Sequence, residues 1–214
     1  MADAVQVLRI RCGTGNCFLV SCGREAVLVD TGTAPFREKV LAACRGVSLR
    51  LILLTHGHID HVQNAAFLAQ KLEVPIAMHR DDLPLVENNL AQPLFPQGIF
   101  GRVLLAVSLR AMQGIIPSFS PTVLLREGDG LEEYGIPARV LELPGHTLGS
   151  IGLDVEGTHL LVGDALMHWA VPSCPAICHD RDKMRESARR LAGLGERQVH
   201  FGHGNSCRNR AWIK

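Results

Sequence analysis

Residues 51–61 read LILLTHGHIDH, so that four aliphatic residues run directly into three histidines and an aspartate. A short aliphatic run of this kind is typical of a buried strand, and the loop after a strand is where α/β folds place their chemistry. If the residues of the chain were shuffled, HxHxDH would arise with a probability of about one in a thousand. The pattern therefore predicts a functional loop at the end of a buried strand.

The polar residues of this loop are suited to binding metal ions. His56 and His58 alternate along an extended segment, so their imidazoles can point to the same side. Asp60 and His61 turn toward a neighbouring position as a helix begins, so one loop can serve two ions. Imidazole and carboxylate ligands without thiolate favour zinc, and iron and manganese accept the same ligands.

Strand-like and helical segments alternate on both sides of the loop. The predicted elements are a hairpin (18–21 with 26–30), helices 36–44 and 63–72, strand 74–78, a helix capped by Asp81 or Asp82 and running to about Leu90, a hairpin (150–155 with 159–162), helix 182–194 and strand 198–201. This alternation predicts an α/β architecture, and the hairpins predict mixed sheets. Two mixed sheets with helices outside satisfy both expectations.

The two hairpins resemble each other in sequence. FLVSCGREAVLVDTG and IGLDVEGTHLLVGDA both give a strand, a tight turn and a second strand, and both end in an aspartate beside glycine, Asp30 in the first and Asp164 in the second. The repeat predicts two similar halves that face each other.

The motif THGHIDH resembles the HxHxDH signature of the metallo-β-lactamase superfamily. Four further motifs follow the order of that family: VDTG at Asp30, PGHT at His146, GDA at Asp164 and FGHG at His203. The resemblance covers nearly the whole chain. It implies an αββα sandwich, in agreement with the two mixed sheets expected above.

The resemblance also implies two metal sites that share one carboxylate. The ligands would be His56, His58 and His146 for the first ion, Asp60, His61 and His203 for the second, and Asp164 as the bridge. Asp30 matches an aspartate that orients a metal ligand by hydrogen bonding and does not itself bind metal. His168 follows Asp164 closely and is a candidate substrate contact.

Because it has a bridging aspartate and no cysteine in its place, the chain resembles glyoxalase II, the acyl-homoserine-lactone lactonases and related thioesterases. The resemblance implies hydrolysis of a thioester or lactone in a small metabolite, with hydroxide supplied between two cations and Asp60 helping to protonate the leaving group. Two alternatives stay open. One is a mononuclear iron oxidoreductase like persulfide dioxygenase, and the other is a metal-bearing ligand sensor without turnover.

Residues 91–121 depart from the rhythm of the rest of the chain, since they are apolar, rich in proline and without a single acidic residue. Ile99, Val103, Val107 and Ala111 follow one another at spacings of four, which predicts an amphipathic helix. We expect this insert to form a lid over the substrate, or else additional core or a homodimer contact. Residues 1–214, with this insert included, are expected to form one domain.

Composition narrows the function further. The net charge of +1, from 22 basic and 21 acidic residues, gives no field that would gather nucleic acid or an anionic membrane. No apolar run approaches the roughly 20 residues that span a bilayer, the N-terminal residues do not resemble a signal peptide, and the seven cysteines lack the spacing of a disulfide framework. We therefore expect a cytoplasmic protein with a small-molecule substrate.

Overall fold

Two β-sheets lie at the centre of the fold, which the computed structural model describes for residues 4–212. The first sheet contains β1 (Val5–Cys12), β2 (Gly15–Cys22), β3 (Glu25–Val29), β4 (Ser48–Leu53), β5 (Ile76–His79) and β7 (Val123–Leu125). The short strand β6 (Phe95–Pro96) lies between β5 and β7 in the chain but outside this sheet. The second contains β8 (Ala138–Glu142), β9 (Ile151–Val155), β10 (His159–Leu161), β14 (Gln198–His200) and β15 (Cys207–Arg208). Two further strand pairs join β11 (Met167–His168) to β12 (Pro172–Ser173) and β13 (Ile177–Cys178) to β6.

Both sheets are mixed, as predicted. The first has the order β1-β2-β3-β4-β5-β7, in which β1, β2 and β3 are antiparallel and the strands from β3 onward are parallel. The second has the order β15-β14-β10-β9-β8, in which only β10 and β14 are parallel. Both predicted hairpins are present, as β2–β3 and β9–β10.

The helices lie outside the sheets. They are α1 (Arg37–Ala43), α2 (Ile59–Val62), α3 (Ala65–Leu72), α4 (Leu83–Glu87), α5 (Gly98–Met112) and α6 (Arg181–Gly193), with 3-10 turns at Ala34–Phe36, Arg80–Asp82 and Glu132–Tyr134. Helix α6 buries Met184, Ala188 and Leu191, the stripe that its sequence predicts. Among residues 4–212, no helix combines the length and the apolar character that crossing a bilayer would require.

Strand β4 and the residue after it show why the fold has four layers. Since side chains alternate along a strand, Leu51 and Leu53 enter the core between the two sheets, whereas Ile52 and Leu54 enter the core beneath α1 and α3. A third core lies between the second sheet and α6, where Leu160 packs with Ala188 and Leu191 and others. The predicted αββα sandwich is confirmed.

The helix predicted after Asp81 or Asp82 differs in its cap and its length. A 3-10 turn comes first, and α4 ends at Glu87. The amide of Asp81 donates to Nδ1 of His79 at 3.2 Å, and the side chain of Asp82 makes no capping hydrogen bond. The prediction of an aspartate cap was wrong because the carboxylate of Asp82 is used in a longer-range contact, described below.

The helix predicted within residues 91–121 is present as α5, but its apolar stripe faces solvent. Ile99, Val103 and Val107 are 83%, 61% and 65% exposed. Among the described residues, no side chain of α5 belongs to any of the three hydrophobic cores. Periodicity therefore predicted the helix correctly, and the helix contributes little to the stability of the sandwich.

Candidate metal centre

The predicted ligands come together because they follow strands whose carboxyl ends share one edge of the sandwich. The HxHxDH loop follows β4, His146 follows β8, and Asp164 and His203 follow the parallel neighbours β10 and β14. A hydrogen bond from the amide of Ile151 to the carbonyl of Thr55, 2.8 Å long, joins the two halves beside this edge.

The seven residues form overlapping groups of donor atoms. In each group, one atom from every residue lies within 4.8 Å of the others, and the groups are His56, His58 and His146; His56, His61 and Asp164; and Asp60, His61 and His203. Asp164 lies between the first and the third of these groups, since its Oδ2 is 3.6 Å from His146 Nε2 and 3.3 Å from His203 Nε2. This is the position that a bridging carboxylate requires.

Outward-facing hydrogen bonds fix how three of the histidines are oriented. Nδ1 of His61 donates to Oδ2 of Asp30 at 2.8 Å, and Nδ1 of His146 and of His203 donate to the carbonyls of Ile177 and Thr14, each at 3.0 Å. Carboxylate and carbonyl oxygens only accept, so the proton of each neutral imidazole lies on Nδ1. In its neutral form each ring then has its lone pair on Nε2. Nε2 of His146 lies 3.0 Å from Nδ1 of His58, a contact that a bound metal would replace.

The orientation of His56 follows from the hydroxyl of Thr55. The single hydroxyl proton of Thr55 is donated to the carboxylate of Asp30, whose two oxygens lie 2.9 and 3.1 Å away. Oγ1 of Thr55 must then accept from Nδ1 of His56, which is 3.1 Å away. His56 therefore also directs an unprotonated Nε2 into the cluster.

Four buried donor atoms of the cluster have no hydrogen-bond partner among the described residues. Nε2 of His56, His58 and His61 and Oδ1 of Asp164 are buried without a hydrogen bond. Buried polar atoms in folded proteins nearly always have a partner, and a cation placed among these atoms would supply one. The side chains present therefore fit metal ions, and the individual ligand assignments stay predictions.

The histidines of the first group are held neutral. Burial, followed by the proximity of His146, lowers the pKa of His58 to about 3. Burial and the neighbouring histidines also lower the pKa of His56 well below its ordinary value, and burial lowers that of His146. Neutral imidazole is the form that binds metal, so this group needs little deprotonation at pH 7.

Carboxylates determine the pKa values on the other side of the cluster, around His61. Burial alone would lower the pKa of His61, but Asp30, Asp60 and Asp164 raise it to about 9. Burial raises the pKa of Asp164, yet His203 and His61 lower it to about 2, and the pKa of Asp60 is lowered by His61 and His203 in the same way. These directions favour ionised carboxylates, the form in which Asp60 and Asp164 would bind a cation.

Asp30 orients His61 from a buried position in the left-handed region of backbone conformation, with φ 60°. Its carboxylate accepts from the amide of Thr55 at 2.8 Å as well as from the Thr55 hydroxyl and from His61. These contacts connect Asp30 directly to one candidate ligand and, through Thr55, to His56. The orienting role of Asp30 stays a prediction, and these contacts are the ones that it would use.

The variant Asp30→Asn is expected to lower metal affinity by about 10- to 100-fold, the usual effect of removing an outer partner of a metal ligand. The amide nitrogen of asparagine cannot accept a hydrogen bond, and the charge that holds His61 in place is lost. Asparagine tolerates the left-handed conformation, so the backbone should not change. Competition with a chromogenic chelator measures the affinity, and an unchanged value would contradict the orienting role.

Asp82 holds two loops of the site together by hydrogen bonds, a role that the sequence did not predict. The fully buried carboxylate accepts from the amide of Gly57 at 2.9 Å and from the hydroxyl of Thr147 at 2.7 Å. Its other oxygen accepts from the amide of Gly149 at 2.8 Å and from Nε2 of Gln92 at 3.0 Å. One side chain thus ties the loop of His56 and His58 to the loop of His146. No local pattern distinguishes this use from a helix cap.

Trp169 was also missed. Its ring stacks on that of His203, with centroids 5.3 Å apart and planes 21° from parallel, and 52% of the residue is exposed. His168 beside it turns Nδ1 toward the carbonyl of Asn205, 2.5 Å away, and packs against Phe201. Contact between His168 and a substrate stays a prediction. The proximity of Trp169 to Asp164 in sequence was the available signal.

Gly202 allows the loops of the centre to approach each other. A Cβ at this position would lie 2.8 Å from Cε1 of His61 and would also collide with the carboxylate of Asp164. Only glycine fits here without displacing a candidate ligand.

An αββα sandwich with a cluster of histidines and aspartates at the ends of its strands defines a class of metal-binding proteins. The chain belongs to the metallo-beta-lactamase superfamily, whose family model matches residues 10–203. Most members of this superfamily are metal-dependent hydrolases.

Three similar proteins illustrate the range of the family. A hydroxyacylglutathione hydrolase of Anaeromyxobacter dehalogenans is 31% identical over 95% of this chain and 67% of its own length. A probable metallo-hydrolase, YflN of Bacillus subtilis, is 28% identical over 83% of this chain and 75% of its own. The crystal structure of TTHA1623 in a di-iron-bound form is 30% identical, with a TM-score of 0.71, over 97% of this chain and 100% of that one.

Proposed function

We propose that the protein is a dinuclear metal-dependent hydrolase that cleaves a thioester or lactone bond in a small metabolite. One observation carries this proposal: seven histidine and aspartate side chains meet in a single cluster, and four of their buried donor atoms have no hydrogen-bond partner among the described residues. The relatives named hydroxyacylglutathione hydrolase and probable metallo-hydrolase support hydrolysis as the reaction class.

Each side chain has a distinct task in this proposal. One ion would be held by His56, His58 and His146, the other by Asp60, His61 and His203, with Asp164 shared. Two divalent cations bound there would polarise the substrate carbonyl and lower the pKa of water at the site. The side chain of Asp60 is 37% exposed, whereas Asp30 and Asp164 are nearly inaccessible. This exposure supports the proposal that Asp60 is the carboxylate that passes a proton to the leaving group.

The identity of the ions is part of the proposal. Imidazole and carboxylate ligands without thiolate suit zinc. Iron is the strongest competitor, because TTHA1623 was solved in a di-iron-bound form and iron accepts the same donor atoms. Glutathione as the leaving thiol is not carried over from the Anaeromyxobacter hydrolase, since the match covers only 67% of that relative.

The proposal is tested by measuring the metal content and by assaying a panel of substrates before and after metal removal. Purified protein is expected to contain close to two transition-metal ions per chain and to hydrolyse a thioester or a lactone faster than a phosphoester or a β-lactam. Chelation should abolish this turnover, and added zinc, iron or manganese should restore it. Elemental analysis and product release provide the measurements.

Two other results would overturn the proposal in different ways. One iron per chain with consumption of oxygen would indicate an oxidoreductase like persulfide dioxygenase. Retention of metal with ligand binding and no turnover of any member of the panel would indicate a sensor.

A further inference from the structure

Helix α5 begins beside strand β13, which contains the carbonyl that orients His146. Strand β6, which leads into the helix, pairs with β13 so that Pro96 lies opposite Ile177. Gly101, in the first turn, packs directly on the carbonyl of Ala176 and leaves no room for a side chain. The next carbonyl, that of Ile177, accepts from Nδ1 of His146 at 3.0 Å. The start of α5 is thus fixed at the His146 side of the candidate metal centre.

The segment after α5 ends at the opposite side of the centre. A Cβ on Gly114 would lie 2.5 Å from Cδ1 of Ile59, and Nε2 of Gln63 donates to the carbonyl of Ile115 at 3.0 Å. Ile59 directly precedes Asp60 in the HxHxDH loop. Since a helix of 15 residues is about 22 Å long, α5 extends from the His146 side to the Asp60 side.

One face of α5 is directed toward the body of the protein. Gly101 is buried on it, and Leu104, Leu105, Ser108 and Met112 follow at helical spacing and are all partly buried; these five residues are the inner face. In the described part of the chain, none of them packs into a hydrophobic core. The inner face is therefore mainly apolar and only partly covered by the rest of the protein.

The charge of the segment restricts what the inner face can contact. Residues 91–121 contain Arg102 and Arg110 and no acidic residue, and both arginines are exposed, on other faces of the helix. No charged group lies on the inner face to pair with a charged ligand. An uncharged, apolar group is the occupant that this surface would favour.

We propose that the inner face of α5 binds an apolar acyl chain of the substrate, whose ester-like carbonyl lies at the metal centre. The proposal rests on the hydrolase function proposed above and specifies its substrate class. The contacts of Gly101 and of Gly114 lie on opposite sides of the centre. They place the helix where an acyl chain extending from the substrate carbonyl would meet it. Burial of each methylene is worth about 0.8 kcal/mol, so kcat/KM should rise about three- to fourfold per methylene until the inner face is covered.

The test compares N-acetylcysteamine thioesters of acetate, butanoate, hexanoate and octanoate, or γ-lactones with the same range of alkyl chains if the substrate panel favours lactones. The variant Leu104→Ser with Leu105→Ser changes the inner face. The control, Val103→Ser with Val107→Ser, makes the same chemical change on the exposed stripe. Neither pair belongs to a core, so both variants should fold and retain metal.

The wild type and the control variant are expected to show the rise with chain length, and the inner-face variant to lose it while keeping the rate for acetate within about twofold. Turnover of acetate with no dependence on chain length in the wild type would overturn this inference alone. Absence of turnover at every chain length would overturn the hydrolase function with it. Loss of chain-length dependence only in the control variant, together with a change from dimer to monomer in sedimentation, would instead assign α5 to a contact between copies.

Discussion

Replacement of Asp164 by asparagine is expected to remove most metal-dependent turnover. Oδ1 of Asp164 is buried without a hydrogen bond, and Oδ2 lies within 3.6 Å of both His146 Nε2 and His203 Nε2. Asparagine is neutral, and its amide nitrogen cannot bind a cation. The loss of metal affinity should exceed the 10- to 100-fold effect typical of an outer partner, because the carboxylate is placed to serve both ions.

The variant Asp154→Asn is a matched control for this prediction. Asp154 lies on β9 in the same half of the fold, and it pairs with Arg197 at 3.3 Å away from the cluster. Elemental analysis and kcat/KM on the best substrate compare the two variants. Full metal content and full turnover in Asp164→Asn would disprove the bridging role, and equal losses in both variants would indicate a general effect on folding.

The variant Asp82→Ala is expected to destabilise the protein by about 4 kcal/mol and to weaken metal binding at the same time. The amides of Gly57 and Gly149 would lose their acceptor, and a buried donor left without a partner costs about 1–3 kcal/mol. Nε2 of Gln92 and Oγ1 of Thr147 would each lose one of two hydrogen bonds. For a chain of this size the melting temperature should fall by roughly 10 °C. The loops of His56 and His146 would also lose the side chain that joins them.

Asp81 provides the control at the neighbouring position. Its exposed side chain makes a single ion pair, with His79 at 3.9 Å, so Asp81→Ala should change stability by no more than about 0.5 kcal/mol. Thermal unfolding of the metal-free proteins measures the first effect, and chelator competition measures the second. An unchanged melting temperature in Asp82→Ala would show that the four hydrogen bonds are not structurally important.

The architecture and the candidate ligands were accessible from the sequence because both are encoded locally. A short aliphatic run predicted β4, strand-like runs on either side of a tight turn predicted the hairpins, and the HxHxDH loop places four candidate ligands within six residues. His146, Asp164 and His203 each lie in a short glycine-containing motif after a strand, so the same local signal identified them. The structure places all seven side chains in one cluster.

Contacts between distant segments were not accessible in this way. Asp82 accepts from residues up to 67 positions away, and before a helix its sequence context equally predicts a cap. Periodicity predicted α5, but a stripe of apolar residues does not reveal whether it faces the protein or the solvent. The stacking of Trp169 on His203 depends on how the β11–β12 pair folds back, which no local pattern encodes.

The candidate ligands are divided between the two sheets, four of them following β4 in the first and three following β8, β10 and β14 in the second. Ions held by such a set would act as cross-links between the halves of the sandwich. Ligand binding to the native state alone raises stability with the logarithm of ligand concentration. The abundance of the folded protein in a cell would then depend on metal supply, so that metal scarcity would lower the amount of folded protein as well as its metal occupancy.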